Sequence, residues 1–517
     1  MFIWIFFAVT GFKILLMPAY YSTDFEVHRN WMAITHNLPL SKWYYENSSE
    51  WTLDYPPFFG YFEWILSQFG NVVDPQMIKI ENVNYNSTKT VIYQRSTVIA
   101  SDIVYAMGVR MSLRALNYNY GTRFNLGSTL LLANVGLLLV DHIHFQYNGF
   151  LCGILLISMS LALKRRFLLS ALFFTILINM KHIFLYVAPV FCVFYLKFYC
   201  WESKKPLISF LKLVLVGLSI FSISFGPFYQ HIPQILSRLF PFKRGLMHAN
   251  WAPNFWALYN TADKLIAILK GKSDFSGKWT SGLVQNYSHD MLPSVTPFVT
   301  VVLTVTFMIP CLVKLLFFTS PRNCYRDFIR SVVVCTLTSF MFGWHVHEKA
   351  ILIVIIPLSL LTLLDYLDAK CGFILWFAGH WSLHPLLFKP DLLLIKYPLL
   401  FAFQFGCFEA MRTMYSHFKL NIFENLYIFA CIPLILYQEV LQYYIYNLSE
   451  KLPFLPLLLT SLYCSVGILY FYINFYIIFL RGKSCNRQSQ TKEKETKSAI
   501  AVSKNKQKQK SKKTKVQ

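Results

Sequence analysis

The sequence predicts an all-α polytopic membrane protein, and three observations carry that expectation. Of its 517 residues 55% are hydrophobic and 18% aromatic while 14% are charged, a balance too apolar for a soluble chain of this length. Apolar runs recur at about the 20-residue length that crosses a bilayer as a helix. Basic residues gather in every other connection between those runs, as when alternate connections face the cytosol. The formal net charge of +23 resembles a nucleic-acid footprint, but residues 481–517 hold 13 Lys and Arg against 2 Glu. Much of the charge is a tail, the rest flanks spans, and no nucleic-acid partner is expected.

Taken in order, residues 2–17 are apolar apart from Lys13 and lack the charged leader and cleavage site of a secretory signal, so they read as a retained first span. Further spans centre near residues 105, 132, 156, 173, 192, 217, 304, 335, 357, 379, 401, 431 and 467, giving about 14 in all. With the N-terminus cytosolic, the cytosolic connections carry Arg110, Arg114 and Arg123; Lys164, Arg165 and Arg166; Lys197, Lys204 and Lys205; Arg322, Arg326 and Arg330; and Arg412 and Lys419. The opposite connections include two long loops, residues 18–96 and 227–292, and short ones at 141–148 and 342–349. All N-x-S/T sequons, at Asn47, Asn86, Asn286 and Asn447, fall on that side, which marks it as lumenal. A membrane domain of residues 1–480 is followed by a basic, disordered cytosolic tail, 481–517. Lys513 and Lys515 have the spacing of a dilysine retrieval signal for the endoplasmic reticulum, a spacing that a Lys-rich tail also produces by chance. No cysteine lies in a C-x-x-C pair or in a lumenal loop, so neither a zinc site nor a disulfide framework is expected.

Chemistry concentrates on the lumenal side. Residues 21–64 hold 13 aromatics in 44 positions, interleaved with Asp24, Glu26, His28, Arg29, Glu46, Glu50 and Asp54. Aromatic faces stack on sugar rings or sit at the headgroup level, while carboxylates grip hydroxyls. Thr23-Asp24-Phe25-Glu26 has capping-box spacing, so Thr23 is expected to cap a helix that runs towards Asn37 and stops before Pro39, with Asp24 at its first position and ionised. Such a placement is a common stabilising one for an Asp, and the spacing alone favours structure over catalysis. In Asp54-Tyr55-Pro56-Pro57 the prolines force Tyr55 to be extended and hold Asp54 on a rigid turn.

Two short loops carry costly groups: Asp141, His142, His144 and Gln146 in one, and His345, His347, Glu348 and Lys349 in the other. Ionisable residues facing lipid at mid-bilayer cost about 2.5 to 3.5 kcal/mol each, so these must face a cavity or the membrane surface. Lys181, with Lys243 and Arg244 in the second long loop, adds cations against the positive-inside trend, which points to a phosphate-bearing ligand. A His-x-His metal site would need ligands from distant loops, so neither metal nor cofactor is expected.

The runs Ser22 to Trp31, Leu38 to Tyr45, Leu53 to Pro57, Asp141 to Asn148 and Phe342 to Lys349 resemble the dolichyl-phosphate-glucose-dependent glucosyltransferases of the endoplasmic reticulum, and the likeness spans nearly the whole chain. The resemblance implies the GT-C membrane fold, a multi-pass protein of the endoplasmic reticulum membrane and a lumenal active site. It also implies a dolichyl-phosphate glucose donor, a dolichyl-diphosphate oligosaccharide acceptor and no nucleotide sugar. By the same resemblance Asp24 is the base, and His345 or His347, with Lys349 beside them, contacts the donor phosphate. Glu26, Arg29, Trp31, Asp54, Tyr55, His142, His144, Gln146, Lys181, Lys243 and Arg244 are the remaining candidates for substrate contact. Of two sister activities, addition of the first or of the second glucose, the variants Val27-His28, His142-Ile143-His144 and Lys181-His182 resemble the second. The sister activity stays open, as does a lipid or sugar transporter, which would place its ionisable residues near the midplane in broken helices.

Overall fold

A computed structural model describes residues 1–242, 245–247, 251–271, 289–444 and 448–482. It is nearly all helix; among the described residues the only β-pairing is a single bridge between Met247 and Val346. By length and composition seven helical stretches can cross a membrane: Thr122–Phe145, His182–Trp201, Pro206–Leu239, Pro297–Phe318, Pro390–Met414, Ile422–Leu441 and Leu455–Arg481. Shorter apolar helices cover Phe2–Leu15 (α1), Asn148–Leu163 and Phe167–Met180. The other expected centres, near 105, 335, 357 and 379, also fall inside helices, but those are shorter or carry more charge. Asn286, Asn447 and the tail from residue 483 lie outside the described residues; Asn47 and Asn86 are exposed.

The first long loop is itself largely helical. Thr23–Asn37 (α2) ends where Leu38, preceding Pro39, turns extended at φ −103 and ψ 148. Pro56 and Pro57 open Pro57–Val73 (α3), with proline at the first helical turn where its missing N–H costs nothing. The outer face of α3 exposes Trp64, Ile65, Phe69 and Val72, while Phe59, Glu63, Ser67 and Gly70 point inward. That division suits a helix lying in the membrane interface.

Close backbone approach fixes the centre of the bundle. Thr88–Ala115 (α4) crosses the Asn148–Leu163 helix at glycines: a Cβ on Gly108 would stand 2.6 Å from the Gly153 carbonyl oxygen, and one on Gly153 2.7 Å from the Tyr105 backbone. Small residues at a crossing let helices pack by contact where lipid supplies no hydrophobic drive. Buried polar pairs pin neighbouring helices: Lys13 Nζ of α1 lies 2.7 Å from Asp102 of α4, and Arg330 forks onto Asp368 at 2.9 and 3.0 Å. In an apolar surround such pairs tie specific helices together, because separating them leaves a bare charge.

Two local expectations are corrected. The helix cap is Ser22, whose Oγ accepts from the Asp24 N–H at 3.1 Å, so Asp24 is the second helical residue and Thr23 the first. Glu26 is therefore not the partner of a capping box. Residues 141–148 are not a loop: Leu138–Phe145 continues the preceding span as a π-helix and the chain turns only beyond it. Apolar flanks and an inward-facing Asp141 favour continued helix over exposed backbone at this depth.

Candidate active site

Asp24 is the centre of the polar cluster. Its N-terminal position on α2 comes from the Ser22 cap, and Ser22 is itself anchored, its Oγ donating to the His144 carbonyl at 2.7 Å. The π-helix then decides which way the His-x-His pair faces. His142 turns into the bundle, with Nε2 3.0 Å from Asp102 Oδ2, whereas His144 Nε2 lies 3.2 Å from Asp24 Oδ2. The two histidines face opposite sides and do not share a ligand. At the end of the π-helix Phe145 adopts φ +90, a left-handed conformation that a non-glycine residue takes only when its surroundings impose it. Arg95 supplies that constraint by donating to the carbonyls of His142 and Ile143, both at 2.8 Å. The reversal sends Gln146 back to Asp24.

Two donors and an imidazole meet at one oxygen. Asp24 Oδ2 accepts from Gln146 Nε2 at 2.6 Å and Lys349 Nζ at 2.7 Å, and faces His144 Nε2. Lys349 Nζ also lies 3.3 Å from His144 Nε2. Among the described residues Oδ1 has no hydrogen-bond partner, and the side chain keeps 21% of its surface exposed. Burial alone works to raise the pKa of Asp24, but Lys349 and His144 together hold it well below the usual carboxylate range. The same pairing, against the effect of burial, raises Lys349 above the ordinary lysine value. Both groups are charged at neutral pH.

Lys181 closes the other side. Its Nζ stands 4.9 Å from the centre of the Tyr55 ring and donates to Asn148 Oδ1 at 3.3 Å. Burial, then the neighbouring Lys349 charge, pushes it down to about 8. Tyr55 is held by the Tyr44 hydroxyl on its carbonyl at 2.7 Å and by edge contact with Phe59. Asp54 beside it is partly exposed.

Glu26, Arg29 and Trp31 serve as supports. Glu26 and Arg29 form a buried fork of 2.6 and 2.7 Å, and Arg29 reaches the Met77 and Lys79 carbonyls, tying α2 to that turn. Trp31, 2% exposed, donates to the Trp51 carbonyl. His345 is at φ +52, its backbone N–H on the Leu246 carbonyl and its Nδ1 2.8 Å from the Gly245 carbonyl. His347 packs edge-on against it, ring centres 5.6 Å apart. Both histidines thus stand where the second long loop docks, on the strand of chain that delivers Lys349. Lys243 and Arg244 lie outside the described residues. Asn148 and Asp141, which join Lys181 to Gln146, were not singled out as site residues; the only signal was their place at the two ends of one polar run.

This cluster of one carboxylate with an open oxygen, flanked by cations and aromatics at one end of a helical bundle, suits group transfer more than passage across a membrane. Residues 9–475 match the ALG6, ALG8 glycosyltransferase family. The chain is 52% identical over 473 residues to a Drosophila melanogaster protein named "Probable dolichyl pyrophosphate Glc1Man9GlcNAc2 alpha-1,3-glucosyltransferase", covering 90% of this chain and 92% of that one. It is 45% identical over 502 residues to the Mus musculus protein of that name without the qualifier (92% and 94% covered), and 41% over 498 residues to that of Arabidopsis thaliana (91% and 96%). The family match takes in every residue of this cluster, and the chain belongs to the ALG6, ALG8 glycosyltransferase family.

Proposed function

We propose that this protein transfers glucose from dolichyl-phosphate glucose to the monoglucosylated nine-mannose oligosaccharide on dolichyl diphosphate, forming an α-1,3 linkage with inversion. The acceptor and linkage are those in the names of its relatives. The observation that carries the chemistry is Asp24: Oδ2 is saturated by Gln146, Lys349 and His144 while Oδ1 is open. The acceptor hydroxyl gives its proton to Oδ1 as its oxygen attacks C1 of the glucose. The bond from C1 to the phosphate oxygen breaks, its electron pair stays on that oxygen, and dolichyl phosphate leaves. Charge building on the phosphate is met by Lys349, His345 and His347. The phosphate departs without protonation, so no second carboxyl acid is needed, unlike in a glycosidase. A strongly acidic Asp24 suffices because the attacking oxygen becomes acidic as its new bond forms.

Asp54 and the Tyr55 ring offer the partly exposed acceptor surface near this point. Glu26, Arg29, Trp31 and His142 are buried and act on the sugar only through the frame they hold. The reading includes a GT-C fold of about 14 spans, an endoplasmic reticulum location, a lumenal site and cytosolic termini. Profiling lipid-linked oligosaccharides in cells lacking the protein tests the activity. Monoglucosylated species should accumulate and disappear on re-expression. Accumulation of the unglucosylated nine-mannose species would assign the first-glucose step instead, and an unchanged profile would end the glucosyltransferase reading.

A further inference from the structure

We infer that Asn148 is a positioning residue: it holds the Gln146 amide in place with its NH2 on Asp24 Oδ2, and so helps keep Oδ1 as the oxygen left to take a proton. The inference rests on the glucosyl-transfer reading of the site. An amide can face either way, and its two ends differ only in whether they donate or accept. The direction must therefore come from neighbours that can do only one of these things.

Asn148 has such neighbours on both sides. The Lys181 ammonium, which can only donate, stands 3.3 Å from Oδ1. On the other side Nδ2 donates to Asp141 Oδ1 at 3.0 Å, and Asp141 accepts on its second oxygen too, from the Gly149 N–H at 2.6 Å. A cation and a carboxylate thus lock the amide. Its Nδ2 also donates to Gln146 Oε1 at 2.7 Å, which leaves the Gln146 NH2 to face Asp24 Oδ2 at 2.6 Å. The reverse orientation would set amide NH2 against NH2 and a carbonyl oxygen against a carboxylate. Each direction thus agrees with its neighbours on both sides, between the Lys181 cation and the Asp24 carboxylate.

The elements that carry this chain are rigid. Asn148 opens the helix that the Gly108 and Gly153 crossing presses against α4, and Lys181 is held over Tyr55 at the end of the next helix. Asn148 does not touch Asp24, so its effect is transmitted through Gln146. The charged or titratable groups around Asp24 are Lys349, His144, Lys181, Tyr20 and Tyr55, with Asp141 acting on the two lysines.

The test uses the full-length protein purified in detergent, with dolichyl-phosphate glucose and the monoglucosylated acceptor. Asn148→Ala should lower kcat by about 10- to 100-fold with a much smaller change in either KM. It should also move the acid limb of the rate profile to higher pH, because the Gln146 donor on Asp24 is no longer held in place. Gln146→Leu should do the same, and the double variant should be no worse than Gln146→Leu alone. If Asn148→Ala is not recovered folded, Asn148→Leu keeps much of the shape and can neither donate to Gln146 nor accept from Lys181, and the same losses are expected. Additive losses in the double variant, or an unmoved acid limb with normal kcat, would overturn the role of Asn148. A wild-type protein that transfers no glucose would instead overturn the reading of the site itself.

Discussion

At the scale of single residues, the proposed chemistry depends on one carboxylate and the cations that face it. Asp24→Asn keeps shape and can still accept a hydrogen bond, but it cannot take a proton, so glucosyl transfer should fall by about 100-fold or more while the protein is still made. A well-expressed variant with near-normal transfer would leave Asp24 a structural role only. Because pairing depresses Asp24, its contribution to stability is present above the ordinary carboxylate pKa and lost as pH falls through the lowered value. Lys349→Met should therefore shift acid unfolding and the acid limb of activity to higher pH. Lys181 works at the other end of the scale. Its pKa of about 8 means that its charge, and donor affinity with it, should decline above that pH. In Lys181→Arg the charge does not titrate, so the pH dependence of the donor KM should flatten.

At the scale of elements, local signals fix the extent of a helix better than its register. The span of α2, its stop before Pro39 and the rigid turn at Pro56 and Pro57 follow from backbone rules that act within a few residues. The cap moved by one residue, from Thr23 to Ser22, because Ser22 is also anchored on the His144 carbonyl, a contact 122 residues away that no local pattern contains. Glu26 likewise pairs with Arg29 instead of the cap, and their fork ties α2 to residues 77–79. Glu26→Gln should leave the Arg29 charge buried and half-paired, costing about 3 to 5 kcal/mol, and should lower the thermal midpoint more than kcat of the surviving protein. Gly153→Val should be worse, because the new Cβ meets the α4 backbone and neither helix can yield without moving Asn148.

At the scale of the whole molecule, orientation in the membrane governs every assignment. Both termini are expected in the cytosol, so protease added to intact microsomes should remove the C-terminal tail, while Asn47 and Asn86 stay protected. Protection of the tail would invert the topology and with it the lumenal site. The sequence by itself determined the class and the candidates: composition and apolar runs set a helical membrane protein, and the extended motifs picked out Asp24, the histidine runs and Lys349 as the residues proposed for chemistry. Those are properties of local polarity and of short-range spacing, which survive in a linear reading. Only the tertiary structure decided how the ingredients combine. It turned His142 away from His144, spent Glu26, Arg29 and Trp31 on the frame, and brought Lys349 across 325 positions onto Asp24. It also placed Asn148 between Lys181 and Gln146. A hydrogen bond has direction and reaches only about 3 Å, so who pairs with whom is settled when helices cross, and nothing in the order of the residues carries that information.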